Sequence, residues 1–190
     1  MRIATNSSKI DISKENKTAS LAKIFSAFLN KGDVVFLYGE IGAGKTTFVR
    51  YLINYLQLRS KKSLSEVTSP TFNIMNEYQI KNLIINHFDL FRIEQTKDLQ
   101  NTGLFNDHKS KLTLVEWPEK IISKPRDRYE LFFKFNKNTN KRFIKIKKII
   151  FDLEIKENLG EYKYIQIKGD ASFRTFLRKS KGKKSSIIVY

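Results

Sequence analysis

Eight residues, Gly39-Glu40-Ile41-Gly42-Ala43-Gly44-Lys45-Thr46, constrain this chain more than any other stretch. They satisfy the pattern G-x-x-x-x-G-K-[ST] at every fixed position. Glycines let the backbone curl until successive N–H groups point inward, forming an anion nest that side chains would obstruct. Lys45 adds a mobile positive charge for β- and γ-phosphates, and the Thr46 hydroxyl is placed to ligate Mg²⁺. The flanks agree. Asp33 to Tyr38 (DVVFLY) is a short apolar run that reads as a buried strand. Thr46 to Leu56 sets Phe48, Leu52 and Tyr55 at helical spacing, so the loop opens a helix whose N-terminus favours anions. This strand–loop–helix unit predicts a nucleoside triphosphate site.

Other strands and helices alternate around it. Ile10-Asp11-Ile12 reads as a short strand, and Thr18 to Leu29 as an amphipathic helix bearing Leu21, Ile24, Phe25, Phe28 and Leu29. Thr71 to Tyr78 and Leu83 to Asp89 read as a strand pair, Glu94 to Leu99 as helical, and Lys111 to Glu116 as a strand. Tyr129 to Phe135 and Arg142 to Lys148 flank Asn136-Lys137-Asn138-Thr139-Asn140, a hairpin signal. The expected class is α/β: a P-loop NTPase with a mixed, mainly parallel central sheet flanked by helices, plus a short basic C-terminal extension.

Composition excludes several alternatives. The 190 residues contain no cysteine, so disulfides and thiolate metal sites are out. Two histidines, His87 and His108, make a histidine-rich zinc site unexpected. No uncharged apolar run is long enough for a transmembrane helix and the N-terminus has no signal-peptide core, which fits a cytoplasmic protein without membrane partners. The net charge is +17, and residues 137–190 carry +10 of it, with 15 basic against 5 acidic residues. Such a surface attracts polyanions, although along the sequence the aromatics are not interleaved with basic residues as in known RNA-binding modules.

Three segments could complete the triphosphate site. Val67-Thr68-Ser69-Pro70-Thr71-Phe72 offers three hydroxyls around a rigid proline, suited to a switch segment. In His87-Phe88-Asp89-Leu90-Phe91-Arg92, Asp89 ends an apolar strand, where carboxylates hold Mg²⁺ or orient attacking water, while Arg92 could meet phosphate or pair with Asp89. In Leu114-Val115-Glu116-Trp117-Pro118-Glu119, Glu116 follows a strand directly and could join the metal shell, with Trp117 read as a packing anchor.

Taken together, GEIGAGKTTFVR, TSPTFNIMNEY, HFDLFRI and VEWPE resemble, in order and spacing, the bacterial TsaE (YjeE) family, over about Ile10 to Lys148. The resemblance implies a P-loop ATPase of tRNA threonylcarbamoyladenosine (t6A) biosynthesis. In that pathway threonylcarbamoyl is transferred to N6 of adenosine 37 by a TsaB–TsaD heterodimer, which the ATPase is thought to reset between turnovers. It implies ATP and Mg²⁺ as ligands. Gly39, Glu40, Ile41, Gly42, Ala43, Gly44, Lys45, Thr46 and Thr47 would bind the nucleotide, with Thr18, just ahead of the first helix, near the base. Thr46 and Glu116 would ligate Mg²⁺, and Lys45 and Asp89 would be catalytic. Glu40-Ile41 stand where the family favours Asp-Leu, and Phe91 where it favours Tyr. Alternatives from other classes are a small-molecule kinase using the same loop and a non-catalytic, ATP-dependent scaffold.

The expected domains are residues 1–148, the ATPase, and 149–190, the basic extension. Within the extension, Gly169-Asp170-Ala171-Ser172-Phe173-Arg174 resembles the opening of aminoglycoside-phosphotransferase-like kinases. That resemblance ends at Tyr190, before any catalytic aspartate, so kinase chemistry is not expected from it. The basic extension is instead a candidate arm for tRNA, which would otherwise be met only indirectly.

Overall fold

The chain is described by a computed structural model. It covers residues 9–151 and the strand segments 2–6, 163–167, 176–181 and 184–189. The sheet is organised around β3 (Val34–Tyr38), whose first four residues are buried. Burial on both faces is the reason this strand reads as a continuous apolar run. Parallel to it lie β6 (Leu112–Glu116) on one side and β7 (Arg128–Asn136) on the other. Next to β6, again parallel, runs β5 (Leu83–Asp89).

Antiparallel strands flank this parallel centre. β4 (Met75–Ile80) pairs with β5, and β8 (Lys141–Phe151) pairs with β7. β1 (Arg2–Asn6) and β2 (Ile10–Asp11) both pair with β8. The order is β1-β8-β7-β3-β6-β5-β4, with β2 also on β8. The sheet is thus mixed, with its parallel strands at the centre, as expected.

Two helices, α1 (Glu15–Ser26) and α2 (Lys45–Arg59), pack on one face. Leu21, Ala22 and Phe25 of α1 and Phe48, Leu52 and Ile53 of α2 meet Val35, Leu37, Leu114 and Leu131 of the sheet. Phe25 rings meet Phe48 and Tyr129 at centroid distances of 5.9 and 5.2 Å. The opposite face carries a smaller core of Val34, Phe36, Phe88, Leu90 and Val115, capped by Ile93, Leu104 and Ile121 from the loops.

Several boundaries differ from the sequence reading. β4 begins at Met75 rather than Thr71, because the Thr71 hydroxyl is drawn to Asp89 and Ile74 takes a left-handed φ of 65°. The helical reading near Glu94 becomes a 3₁₀ segment, Thr96–Thr102. α1 starts at Glu15, ahead of the expected start at Thr18, and ends at Ser26, short of Leu29. β8 runs three residues past Lys148. In the extension, β9 (Lys163–Ile167), β10 (Phe176–Lys181) and β11 (Lys184–Val189) form a separate antiparallel sheet in the order β11-β10-β9. The kinase-like run Gly169 to Arg174 lies outside the described residues.

Candidate nucleotide and metal site

The site forms where the carboxyl ends of β3, β5 and β6 meet the start of α2, the position at which open parallel sheets hold ligands. Gly39 leaves β3 with φ 141°, and a Cβ there would sit 2.6 Å from the Phe133 carbonyl oxygen. Only glycine lets the loop cross β7 so closely. Gly44, at φ 103°, caps α2, and its carbonyl accepts the Phe48 N–H at 3.0 Å. The first turn of α2 therefore directs unpaired amides at the cleft.

Lys45 is buried. Its ammonium donates to the carbonyls of Gly39 at 2.7 Å and Glu40 at 3.1 Å and stands 4.0 Å from the centroid of the Trp117 ring. Burial pushes its pKa down, against the pull of Glu116, Asp89, Glu119 and Glu40. Trp117 has φ 58° and donates its N–H to the Leu37 carbonyl at 3.3 Å, so β6 ends by folding the indole back toward the loop. Trp117 packs against the smaller core, as a packing anchor should, and also carries the Lys45 charge.

Two carboxylates converge from neighbouring strands. Asp89 and Glu116 are register partners on β5 and β6, both buried. The Thr46 hydroxyl donates to Glu116 Oε2 at 3.0 Å, and Glu116 Oε1 lies 3.0 Å from His87 Nε2. His87 is wholly buried, and its Nδ1 has no hydrogen-bond partner among the described residues. Asp89 Oδ2 accepts from the hydroxyls of Ser69 and of Thr71, the latter at 2.8 Å, while Oδ1 accepts the Phe91 N–H at 3.0 Å. The Ser-Pro-Thr segment is thereby tied to Asp89.

Apart from His87, which lies behind Glu116, these side chains line one open cleft of about 320 Å³. The donor set suits a triphosphate, with loop amides, one ammonium and a hydroxyl on one side of the cleft and two carboxylates on the other. Thr46 and Glu116, with Asp89 beside them, are the hard oxygen groups that could hold a magnesium ion. Among the described residues no group of three or more His, Cys, Asp or Glu is placed to hold a metal.

Thr18 is not among the residues lining this cleft. It is buried, and its hydroxyl donates to the Ile12 carbonyl at 3.2 Å. Arg92 stacks 4.0 Å over the Phe72 ring, an arrangement the sequence did not suggest. Two further residues escaped sequence reasoning. His87 supports Glu116, and Arg142 on β8 donates through Nε to the Gly42 carbonyl at 3.1 Å while lying 4.2 Å from the Phe135 ring. The alternation HFD at the end of an apolar strand could have flagged His87, because residues two apart share a face. Nothing local flags Arg142.

Fold and site together define a P-loop nucleotide-binding protein of the α/β class. Residues 12–144 match the family model described as threonylcarbamoyl adenosine biosynthesis protein TsaE. The chain belongs to the TsaE family. It is 34% identical over 146 residues to the tRNA threonylcarbamoyladenosine biosynthesis protein TsaE of Rickettsia typhi, covering 74% of this chain and 96% of that one. It is also 34% identical to the Rickettsia conorii protein of that name, where the match covers 58% of this chain and 61% of the relative. The Bacillus subtilis TsaE is 36% identical, covering 62% and 72%. Among solved structures, Bacillus subtilis YdiB superposes with a TM-score of 0.56 at 26% identity, over 78% of this chain and 86% of that one.

Proposed function

We propose that this chain is a magnesium-dependent ATPase that serves t6A modification of tRNA, working in the cytoplasm with a TsaB–TsaD heterodimer. The observation that carries the reading is the convergence of Lys45 and Thr46 from α2, Asp89 from β5 and Glu116 from β6 on a single cleft. Membership in a family named for threonylcarbamoyladenosine biosynthesis supports the pathway.

Each residue has a role derivable from its contacts. The amides from Gly39 to Thr47 cradle the β- and γ-phosphates, and Lys45 exchanges two carbonyls for phosphate oxygens. When bound, Mg²⁺ draws charge off the transferring phosphoryl group. Thr46 and Glu116 would hold it, because the Thr46 hydroxyl donates its hydrogen bond to Glu116 and keeps its oxygen lone pairs for the ion. Asp89 is locked by three donors, leaving it oriented to accept a hydrogen bond from the attacking water. Water oxygen bonds to the γ-phosphorus as the bond to the bridging oxygen breaks, giving ADP and inorganic phosphate. Because Ser69 and Thr71 hold Asp89 directly, their segment can report whether the γ-phosphate is present.

The partner reading has its own support. Ile41, Phe72 and Phe91 leave 68%, 80% and 46% of their surfaces exposed on or beside the cleft-lining segments. An apolar rim there suits a protein that reads the nucleotide state. Among the described residues no helix is long and apolar enough to cross a membrane.

The deciding experiment measures phosphate release from Mg·ATP by the wild type and Lys45→Ala, with and without purified TsaB–TsaD. Release that needs Lys45 and rises with the partners is expected. Transfer to a small alcohol would instead establish a kinase, and ATP binding with no turnover under any condition a scaffold.

A further inference from the structure

The sheet face opposite the helices is only partly covered. Its smaller core spans β3, β5 and β6, whereas beyond the buried Arg128–Glu130 pair and Ile149 the residues that β7 and β8 present on the same side are aromatic and cationic. Register makes the pattern plain. Phe132 pairs with Lys145, and Lys134 with Phe143, so rings and ammonium groups alternate both along and across the two strands. Tyr38 of β3 continues the row, its ring stacked on Phe132 at 4.8 Å and 8°.

Each ring carries a lysine. Lys9 stands 3.8 Å from the Phe143 centroid, Lys147 5.1 Å from Phe132 and Lys124 5.3 Å from Tyr38. The nearest acid, Glu130, is already matched by Arg128 at 2.8 Å, so the patch keeps a surplus of positive charge. Lysine ammonium groups can pivot on long stems toward phosphates while the rings they leave accept bases.

We propose that this β7–β8 face is a binding platform for an unpaired segment of RNA, a site separate from the nucleotide cleft and from the basic extension. An acidic protein would need the cations but not the ladder of rings, and a duplex would hide its bases from them. RNA is chosen over other single strands because the relatives of this chain are named for the biosynthesis of a tRNA nucleoside. The reading does not depend on ATP occupancy, since none of these residues lines the cleft.

The test is fluorescence anisotropy with the full chain and a labelled unpaired RNA of about twelve nucleotides, within the range of site sizes for such platforms. Lys134→Ala/Lys145→Ala/Lys147→Ala should flatten the slope of log affinity against log salt by about 2, as expected for three lost phosphate contacts on a single strand. Phe132→Leu/Phe143→Leu should weaken binding roughly five- to a hundredfold at unchanged slope. Lys23→Ala/Lys31→Ala/Lys62→Ala, on the helical side, should leave both affinity and slope in place. Retained ATP binding shows that each variant is folded. The proposal is overturned if the wild type does not bind, if it takes duplex RNA or polyglutamate as tightly, or if either face variant binds like the wild type. Normal RNA binding by Lys45→Ala would separate failure of this site from failure of the ATPase reading.

Discussion

His87 Nε2 meets Glu116 Oε1 at 3.0 Å inside the sheet, while the second oxygen of the same carboxylate holds the Thr46 hydroxyl at 3.0 Å. One carboxylate thus links a wholly buried imidazole to the first turn of the loop helix. The imidazole fixes which way Glu116 points, as groups behind metal ligands do.

Removing His87 should therefore act through metal affinity. His87→Ala should raise the Mg²⁺ concentration needed for half-maximal ATP turnover about ten- to a hundredfold. His87→Gln, which retains a donor, should recover part of that loss. A magnesium titration of both variants checks this. An unchanged requirement with only lower melting temperature would mean that His87 serves packing alone.

The single tryptophan is a built-in reporter, because Lys45 Nζ lies 4.0 Å from its ring centroid. Saturating Mg·ATP should draw the ammonium from the indole and change the intrinsic emission. Lys45→Ala should abolish that response and weaken ATP binding about ten- to a hundredfold, the worth of a charge-assisted hydrogen bond. Its melting temperature should hold or rise, since a buried ammonium is removed. Calorimetric binding without any emission change in the wild type would contradict the geometry.

For Asp89→Asn, the amide must either turn its carbonyl toward Ser69 and Thr71, setting its NH₂ against the Phe91 N–H, or do the reverse. The first sets a donor against a donor, and the second makes the Ser69 and Thr71 hydroxyls turn from donating to accepting and lose their bonds to a charged carboxylate. Stability should fall by about 1–3 kcal/mol and turnover by roughly a hundredfold or more, with ATP affinity largely kept. Steady-state kinetics beside equilibrium binding separates the two effects, and equal loss of both would remove Asp89 from the chemical step.

Asp33, at the entry to β3, gives a pH-dependent case. Burial raises its carboxyl above the ordinary 3.8, offset in part by the Asn30 N–H that donates to it at 2.7 Å and by nearby Lys148. A raised native pKa means that ionisation costs the folded state more than the unfolded one, so stability is lost as pH rises through that pKa. Asp33→Asn keeps an acceptor for Asn30 and should melt higher than the wild type at pH 7. The gap should narrow as pH falls toward 3.8. Paired thermal melts across that window decide it, and a constant gap would exclude ionisation as the cause.

Legibility in the sequence followed the range of the interactions. The phosphate loop, the strand before it and the hairpin around Asn136 to Asn140 are local signals, and each appears where its residues placed it. Ends set by distant contacts were less readable, as at β4, whose start is delayed by Thr71 reaching Asp89 across 18 residues. Thr18 illustrates the same limit, since its hydroxyl is spent on Ile12 once α1 begins at Glu15. The face of rings and lysines on β7 and β8 was not readable along the chain because strand pairing, a long-range contact, sets Phe132 beside Lys145 and Lys134 beside Phe143.

The pairing of Asp89 with Glu116 makes the sheet's alignment part of the chemistry. Were β5 to slip one position against β6, His87 and Asp89 would swing to the far side of the sheet and Phe88 would enter the cleft. Damage to the distant β4–β5 hairpin should consequently silence turnover in molecules that still look folded.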